Sequence, residues 1–392
     1  MATITTHSPD TFEEAAAALA AATADGRRVR IVGAGTKLGW GHPDTPADAE
    51  LHTGGLHRIL EHNAGDLTAS LEAGVPLATA QRTFAAAGQM LALDPPLGDP
   101  DAEAGEAGSG APTPTIGGVV ATADSGPLRH RYGAPRDLVV GVTVALSDGT
   151  IARAGGKVIK NVAGYDLAKL FSGAFGTLGV ILAVNVRLHP LHETSVTALG
   201  AASDPAALAS AAVALARAPL EFEALDLAWR AGRGGLLARC AGPQAPRRAR
   251  RAARLMADAG LAEVDIADQD GQLWERQRAG QRSAEGVLLR TAVAPTELTT
   301  LLQATESCGG TLVGRAALGT CYIEVEPGAL ARLRGMLPPR APAVILDAPA
   351  SVRAQHDPWG AAPGGELDLM RRIKARFDPA GTCNPGLFVG GL

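Results

Sequence analysis

The 392-residue sequence predicts an α+β fold in two successive domains, not a regular alternation of strand and helix. Three observations carry this. An apolar strand over 137–146 runs into Ser147-Asp148-Gly149-Thr150, a turn of the Asp-Gly kind, and returns as 151–154, so neighbouring strands pair directly as a hairpin. The strand 29–32 opens into a glycine-rich loop that cannot continue as a long helix, because Gly39, Gly41 and Pro43 follow within a few residues. Beyond Pro190 the texture changes to Ala-rich helices at about 203–217 and 245–260, mixed with strands at 224–229, 287–292 and 322–325.

Composition bounds the rest. With 46% hydrophobic and 19% charged residues, a chain of this length can bury a large core in roughly two to three folding units. A net charge of -4 supplies no basic field for a polyanion, which argues against a nucleic-acid partner. The run Arg247, Arg248, Arg250, Arg251, Arg254 is local and reads as a solvated or partner-facing helix. No apolar run reaches the roughly 18 residues needed to span a bilayer, and no basic stretch leads into an apolar one at the start. The expectation is a cytoplasmic protein that meets a membrane only through partners. Cys240, Cys308, Cys321 and Cys383 are far apart with no C-x-x-C pair, and His52, His57 and His62 recur every fifth residue, off the spacing of two ligands on one helical face. No metal site is expected.

In chain order, 11–24 has a helical pattern ended by Gly26, and 29–32 reads as a strand. In the next loop, Gly33-Ala34-Gly35-Thr36-Lys37, Leu38 stands where a dinucleotide-binding G-x-G-x-x-G turn has its third glycine. That disfavours a Rossmann domain, yet a strand leading into such a loop can still form an anion-binding nest of backbone N–H groups. The segment 67–71 reads as a strand, and 76–87 as a helix with Pro76 at its start and Gly88 past its end. Residues 97–115 are low in complexity and read as a surface loop. In 115–126, Thr115-Ile116-Gly117-Gly118 to Thr122 and Ser125-Gly126, small residues and hydroxyls crowd together, so the backbone can approach a ligand closely. A short helix over 165–171, a strand over 180–188 and a fixed loop at the tail, Phe377 to Phe388, complete the reading.

Taken together, G-A-G-T-K at 33–37, T-I-G-G-V-V-A-T-A-D-S-G at 115–126, R-Y-G-A-P-R-D-L-V-V-G at 131–141, K-N-V-A-G-Y-D-L-A-K-L-F at 160–171 and G-T-L-G-V-I at 176–181 resemble the FAD-linked oxidases of the vanillyl-alcohol oxidase type, with a PCMH-type FAD-binding domain. Within them the chain is most similar to the FAD-binding subunits of bacterial glycolate oxidases. The resemblance is strong over 5–190, weak in the middle, and returns in F-D-P-A-G-T-C-N-P-G-L-F at 377–388.

The resemblance implies a two-lobed FAD-binding domain over 1–192 (lobes about 1–55 and 56–192), an α+β cap or substrate domain over 193–375, and a segment 376–392 packing back on the first domain. It implies that Gly33, Ala34, Gly35, Thr36 and Lys37 wrap the FAD pyrophosphate, with Trp40 beside them. Ile116, Gly117, Gly118, Thr122, Ser125 and Gly126 would hold it from the other lobe, Val180 would meet the adenine through its main chain, and Asn384 would sit near the isoalloxazine. Where covalent relatives place a histidine, this stretch carries Lys37 and Trp40, so FAD is expected to be non-covalent. The implied activity is oxidation of glycolate to glyoxylate, with a larger FAD-linked glycolate oxidase subunit and an iron-sulfur subunit as partners.

Catalytic residues stay unassigned. Hydroxy-acid dehydrogenases of this likeness carry a metal-holding H-x-G-D-G-N-x-H motif, where this chain reads Cys308 to Gly314, and an acid where this chain has Phe175. A self-sufficient dehydrogenase and a flavin-holding subunit without turnover therefore both stay open. Arg290 and Arg315 are candidates to clamp a carboxylate. Lys157, Lys160 and Lys169 are weighed as flavin contacts against surface or capping roles, and Asp124 and Asp166 as hydrogen-bond partners rather than general bases.

Overall fold

The computed structural model describes residues 4–43, 45, 47–97, 113–157, 166–360 and 364–392. Most of the 97–115 loop and the first part of the 160–171 motif, including Lys160 and Tyr165, lie outside these. The chain divides into two compact units: unit 1 comprises 1–125, 133–191 and 361–392, and unit 2 comprises 126–132 and 192–360.

Unit 1 contains two sheets that position its site. In the first, β1 (Thr5–His7), β2 (Val29–Val32) and β3 (Ala49–His52) are parallel in the order β1-β3-β2. Helix α1 (Phe12–Ala24) covers it; the Thr11 hydroxyl accepts from the Glu14 N–H at the N-terminus, and Ala15, Ala16, Leu19 and Ala22 are buried. The second sheet is antiparallel, with β4 (Ile59–Asn63), β5 (Thr68–Glu72), β6 (Val139–Ala145), β7 (Ile151–Gly155) and β8 (Val180–Arg187) in the order β4-β5-β8-β6-β7.

The expected hairpin is β6 with β7. Gly149 takes φ 84, and the Asp148 carboxylate accepts from the Thr150 N–H at 2.9 Å, which holds its pKa below the ordinary value. The expected strand over 137–146 is shorter at its start, because Pro135–Leu138 forms a helical turn: Pro135 occupies its first position and Asp137 accepts from the Ala134 N–H at 2.8 Å. Helix α2 (Leu77–Ala85) matches the helical pattern.

Most of the stretch 115–126 is helical. Ile116–Thr122 is helix α3, capped by the Thr115 hydroxyl, which accepts from the Gly118 N–H at 3.2 Å. The helix ends at Ala123, in the left-handed region at φ 51. Unit 1 is completed by the helix Gly364–Phe377 and the tail. The Val29 N–H donates to Thr382 O at 2.8 Å and the Asn384 N–H to Val29 O at 3.0 Å, so the tail runs along the edge of β2.

Unit 2 is one eight-stranded antiparallel sheet with helices. Its elements are β9 (Ser195–Ala202), α4 (Pro205–Arg217), β10 (Ala224–Arg230), β11 (Arg233–Ala241), α5 (Ala245–Asp258), β12 (Ala262–Ala267), α6 (Gly271–Ala279), β13 (Val287–Ala292), α7 (Leu298–Ser307), β14 (Thr311–Arg315), β15 (Thr320–Val325), α8 (Leu330–Met336) and β16 (Val344–Asp347), with strand order β12-β9-β11-β10-β14-β15-β13-β16. Leu208, Leu215, Ala249, Met256, Leu301 and Leu302 from α4, α5 and α7 share one core with Leu225, Leu227, Leu236 and Ile323 of the sheet. Among the described residues no helix is long and apolar enough to cross a membrane.

Candidate FAD-binding site

The parallel strands of the small sheet deliver the first wall of the site. β2 ends at Val32, and the chain turns through Gly33 to Lys37, with Gly35 at φ 75, a conformation open to glycine at little cost. The loop closes on itself through Leu38 N–H to Gly35 O at 3.3 Å and Trp40 N–H to Lys37 O at 3.0 Å. Lys37 is nearly buried in this turn. Its Nζ lies 3.2 Å from Asp124, 3.4 Å from the Thr36 hydroxyl and 5.7 Å from the centroid of the Trp40 ring.

The second wall is α3, drawn in by close backbone contact. The Gly117 N–H donates to Ala73 O at 2.7 Å, and a Cβ on Gly117 would stand 2.7 Å from the Ala73 Cβ. Gly118 faces more open space: the nearest protein atom to a Cβ there is Thr115 Oγ1, at 3.2 Å. The third wall comes from 175–181 and the tail. Asn384 takes φ 41, accepts from the Ile31 N–H at 2.9 Å and donates to Phe175 O at 2.7 Å, so one side chain joins β2 to the 175–181 turn.

These walls enclose an open cleft of about 200 Å³. Of the sequence-expected residues, Gly33, Ala34, Gly35, Thr36, Lys37, Trp40, Gly117, Gly118, Thr122 and Asn384 line it. Four do not. Ile116 points into the core at 0% exposure, and Val180 is buried with α1 and the β3 strand while its neighbours Gly179 and Ile181 line the cleft. Ser125 is buried outside the lining, and Gly126 belongs to unit 2, where its carbonyl accepts from Arg315. Residues outside the motifs include Arg30 and Ile31, placed by the pairing of β2 with β3, and His42, Thr53 and Ala73, from the connections that follow strands or loops. Only Thr115 carried a local signal, as the hydroxyl three residues before Gly118.

The lining suits FAD. Its described residues include Arg30 and Lys37 but no carboxylate, which favours a doubly negative pyrophosphate. Glycine and alanine at 33–35, 117, 118 and 121 let backbone approach a flat ring system. The other candidates lie apart from the cleft lining. Lys169 donates to the carbonyls of Arg136 and Val139, a capping role, and Lys157 pairs with Glu61 on the surface. Burial pushes the Cys240 thiol up to about 11 and Cys321 up to about 12, which keeps both protonated and inert. Among the described residues no group of three or more His, Cys, Asp and Glu could hold a metal ion.

Arg315 is not placed to clamp a substrate carboxylate. It is 1% exposed, and Nη1 lies 2.6 Å from Asp226, Nη2 donates to Gln281 at 2.7 Å and Nε donates to Gly126 O at 3.1 Å. The cause is register, since Arg315 on β14 stands directly opposite Asp226 on β10.

A family model described as an FAD binding domain matches residues 6–155, and one described as the C-terminal domain of FAD linked oxidases matches 356–387. The chain is 34% identical to glycolate oxidase subunit GlcE of Escherichia coli over 169 residues, 43% of this chain and 44% of that protein. It is 38% identical to glycolate oxidase subunit GlcD of Bacillus subtilis over 175 residues, 44% of this chain and 34% of that protein. The matched part thus spans less than half the length of either relative. An uncharacterized FAD-linked oxidoreductase of Mycobacterium tuberculosis matches at 24% identity over 97% of this chain and 90% of its own length. Solved structures of alkyldihydroxyacetonephosphate synthase share the fold, one at TM-score 0.68 and 13% identity over 97% of this chain and 76% of that one. With the cleft, its anion-suited lining and these matches in agreement, the chain carries an FAD binding domain and the C-terminal domain segment of FAD linked oxidases, and FAD is its cofactor.

Proposed function

We propose that the chain is the FAD-binding subunit of a complex that oxidises a small 2-hydroxy acid, glycolate to glyoxylate in the first instance. The observation that carries this reading is the FAD cleft, taken with the similarity of this chain to proteins named as glycolate oxidase subunits. A relative named D-lactate dehydrogenase, from Archaeoglobus fulgidus, 35% identical over 182 residues, extends the substrate class to other 2-hydroxy acids.

Bound FAD supplies the two-electron acceptor for the hydroxyl-bearing carbon. This chain's residues bind and orient it. Gly33 to Lys37 would hold the pyrophosphate, with the Lys37 ammonium fixed in that loop by Asp124. Gly117 and Gly118 leave room at α3, and Asn384 fixes the opposite wall through Ile31 and Phe175. The binding is non-covalent, and acid denaturation is expected to release all the flavin into the supernatant. A larger FAD-linked subunit and an iron-sulfur subunit complete the path of electrons, and any membrane association of this cytoplasmic chain runs through them.

A second reading, a flavin-holding subunit without turnover of its own, is favoured by Phe175, which stands where oxidising relatives have an acid and packs its ring on Phe388 at 5.5 Å. An anaerobic visible spectrum of the purified chain, before and after excess glycolate and then D-lactate, separates the two. Bleaching of the oxidised-flavin band supports oxidation by this subunit, and a bound but unresponsive flavin supports the holding role. Absence of flavin bands after reconstitution with FAD would sink both.

A further inference from the structure

A second cavity, of about 140 Å³, lies within unit 2, and its wall includes Arg131, Tyr132, His192, Glu221, Glu223 and Arg248. Its charges are unevenly committed. Glu223 is nearly buried, accepts from the Tyr132 hydroxyl at 3.2 Å and lies 3.5 Å from Arg239 Nε, a cation it shares with Asp270 at 3.2 Å. Arg131 and Arg248 share one other carboxylate of the wall, Glu221, whose Oε2 stands 3.8 Å from Arg131 Nη1 and 3.4 Å from Arg248 Nη1.

Those separations are long for paired charges, and the Glu221 side chain is 75% exposed. Its main chain is fixed, because Glu221 O accepts from Arg248 Nη1 at 3.0 Å, and Arg248 also donates to the Ala241 carbonyl. The guanidinium of Arg248 is therefore held by main-chain carbonyls, while the Glu221 carboxylate is held by one long hydrogen bond, from Arg248 Nη1 at 3.4 Å. An exposed pair of this kind is weak and open to exchange. With Glu221 turned to solvent, the guanidiniums of Arg131 and Arg248 both line the cavity, and Glu223, bonded to Tyr132, is the carboxylate left in its wall.

We propose that Arg131 and Arg248 form a binding site for a small carboxylate anion, and that the Glu221 side chain is its built-in competitor. The ligand takes the place of the Glu221 carboxylate, accepting hydrogen bonds from both guanidiniums, while Tyr132 and His192 bound the space to an acid of a few carbons. The site lies in unit 2 and does not depend on the proposed oxidation, although substrate and product of that reaction belong to the same chemical class.

Isothermal titration of the full FAD-loaded chain with malonate, at constant chloride, tests this. Glu221→Gln, on an exposed side chain, tightens malonate about fivefold, the factor that an exposed pair of about 1 kcal/mol represents. Arg131→Met weakens it about tenfold in either background, and glycolate competes with malonate. Unchanged or weaker binding in Glu221→Gln overturns the proposal, as does undiminished binding in Arg131→Met. Should Arg131→Met fail to fold, the Glu221→Gln result decides alone. A chain that never oxidises glycolate would leave this titration unaffected.

Discussion

Asn384 donates from Nδ2 to the carbonyl oxygen of Phe175 at 2.7 Å, and both residues hold left-handed backbone, at φ 41 and φ 53. Its Oδ1 simultaneously accepts from the Ile31 N–H, so a residue near the end of the chain closes the FAD cleft. Asn384→Ala leaves that N–H and that carbonyl without their partner, a loss of about 1–3 kcal/mol for each buried group, and places a Cβ residue less suited than Asn at positive φ. The expected outcome is a lower thermal midpoint and at least tenfold weaker FAD binding, read by flavin fluorescence. Asn384→Gly keeps the backbone and loses both bonds, so it should recover part of the midpoint and none of the affinity.

Lys37 and Asp124 form a nearly dry ion pair in the cleft wall, with side chains 6% and 4% exposed. Removing one partner of such a pair strands the other and costs about 3–5 kcal/mol, whereas removing both is far milder. Lys37→Met should therefore lower stability sharply, and Lys37→Met with Asp124→Asn should restore much of it. FAD affinity should stay low in both, because the ammonium proposed to meet the pyrophosphate is gone in both. Equilibrium dialysis alongside chemical unfolding checks it; recovery of affinity in the double variant would remove Lys37 from the pyrophosphate site.

Adjacent glycines in α3 should fail differently. A Cβ on Gly117 meets Ala73 Cβ at 2.7 Å and Ala73 O at 2.9 Å, so Gly117→Ala must shift the helix, and loss of fold and flavin together is expected. A side chain on Gly118 meets only the Thr115 hydroxyl before entering the cleft. Gly118→Val should leave the far-ultraviolet circular dichroism intact while FAD binding falls at least tenfold.

The contrast between these glycines also marks how far the sequence could be read. The β6–β7 hairpin was legible because its turn chemistry is local: Asp148 and Gly149 fix it within four residues. The loop 33–37 was legible for the same reason. Helix α3 was not, since its two glycines and β-branched residues speak against a helix, and it is held by tertiary contact with Ala73 and a cap from Thr115. Ile31, Thr53 and Ala73 are ordinary residues that become cleft wall only after the strands pair. Arg315 looked like a free cation for a carboxylate because nothing in the sequence reveals that Asp226 lies opposite it.

That pairing has a pH signature. Asp226 is fully buried, and burial pushes its carboxyl up to about 6 although Arg315 at 2.6 Å works in the other direction. An unfolded aspartate titrates near 3.9, so between about pH 4 and pH 6 the folded state holds the extra proton. The stability from this group is then fully present below about pH 4 and is lost as pH rises through about 6. Denaturant unfolding of wild type and Asp226→Asn, followed by Trp229 and Trp274 in the same unit, should show wild type losing stability relative to the variant across that window. Arg315→Met sharpens the test. It strands the Asp226 carboxylate at pH 7, at a cost of about 3–5 kcal/mol, and the loss should shrink at pH 5 as the carboxyl takes up its proton. A loss in Arg315→Met that is the same at both pH values would mean that Asp226 is not the group it leaves uncompensated.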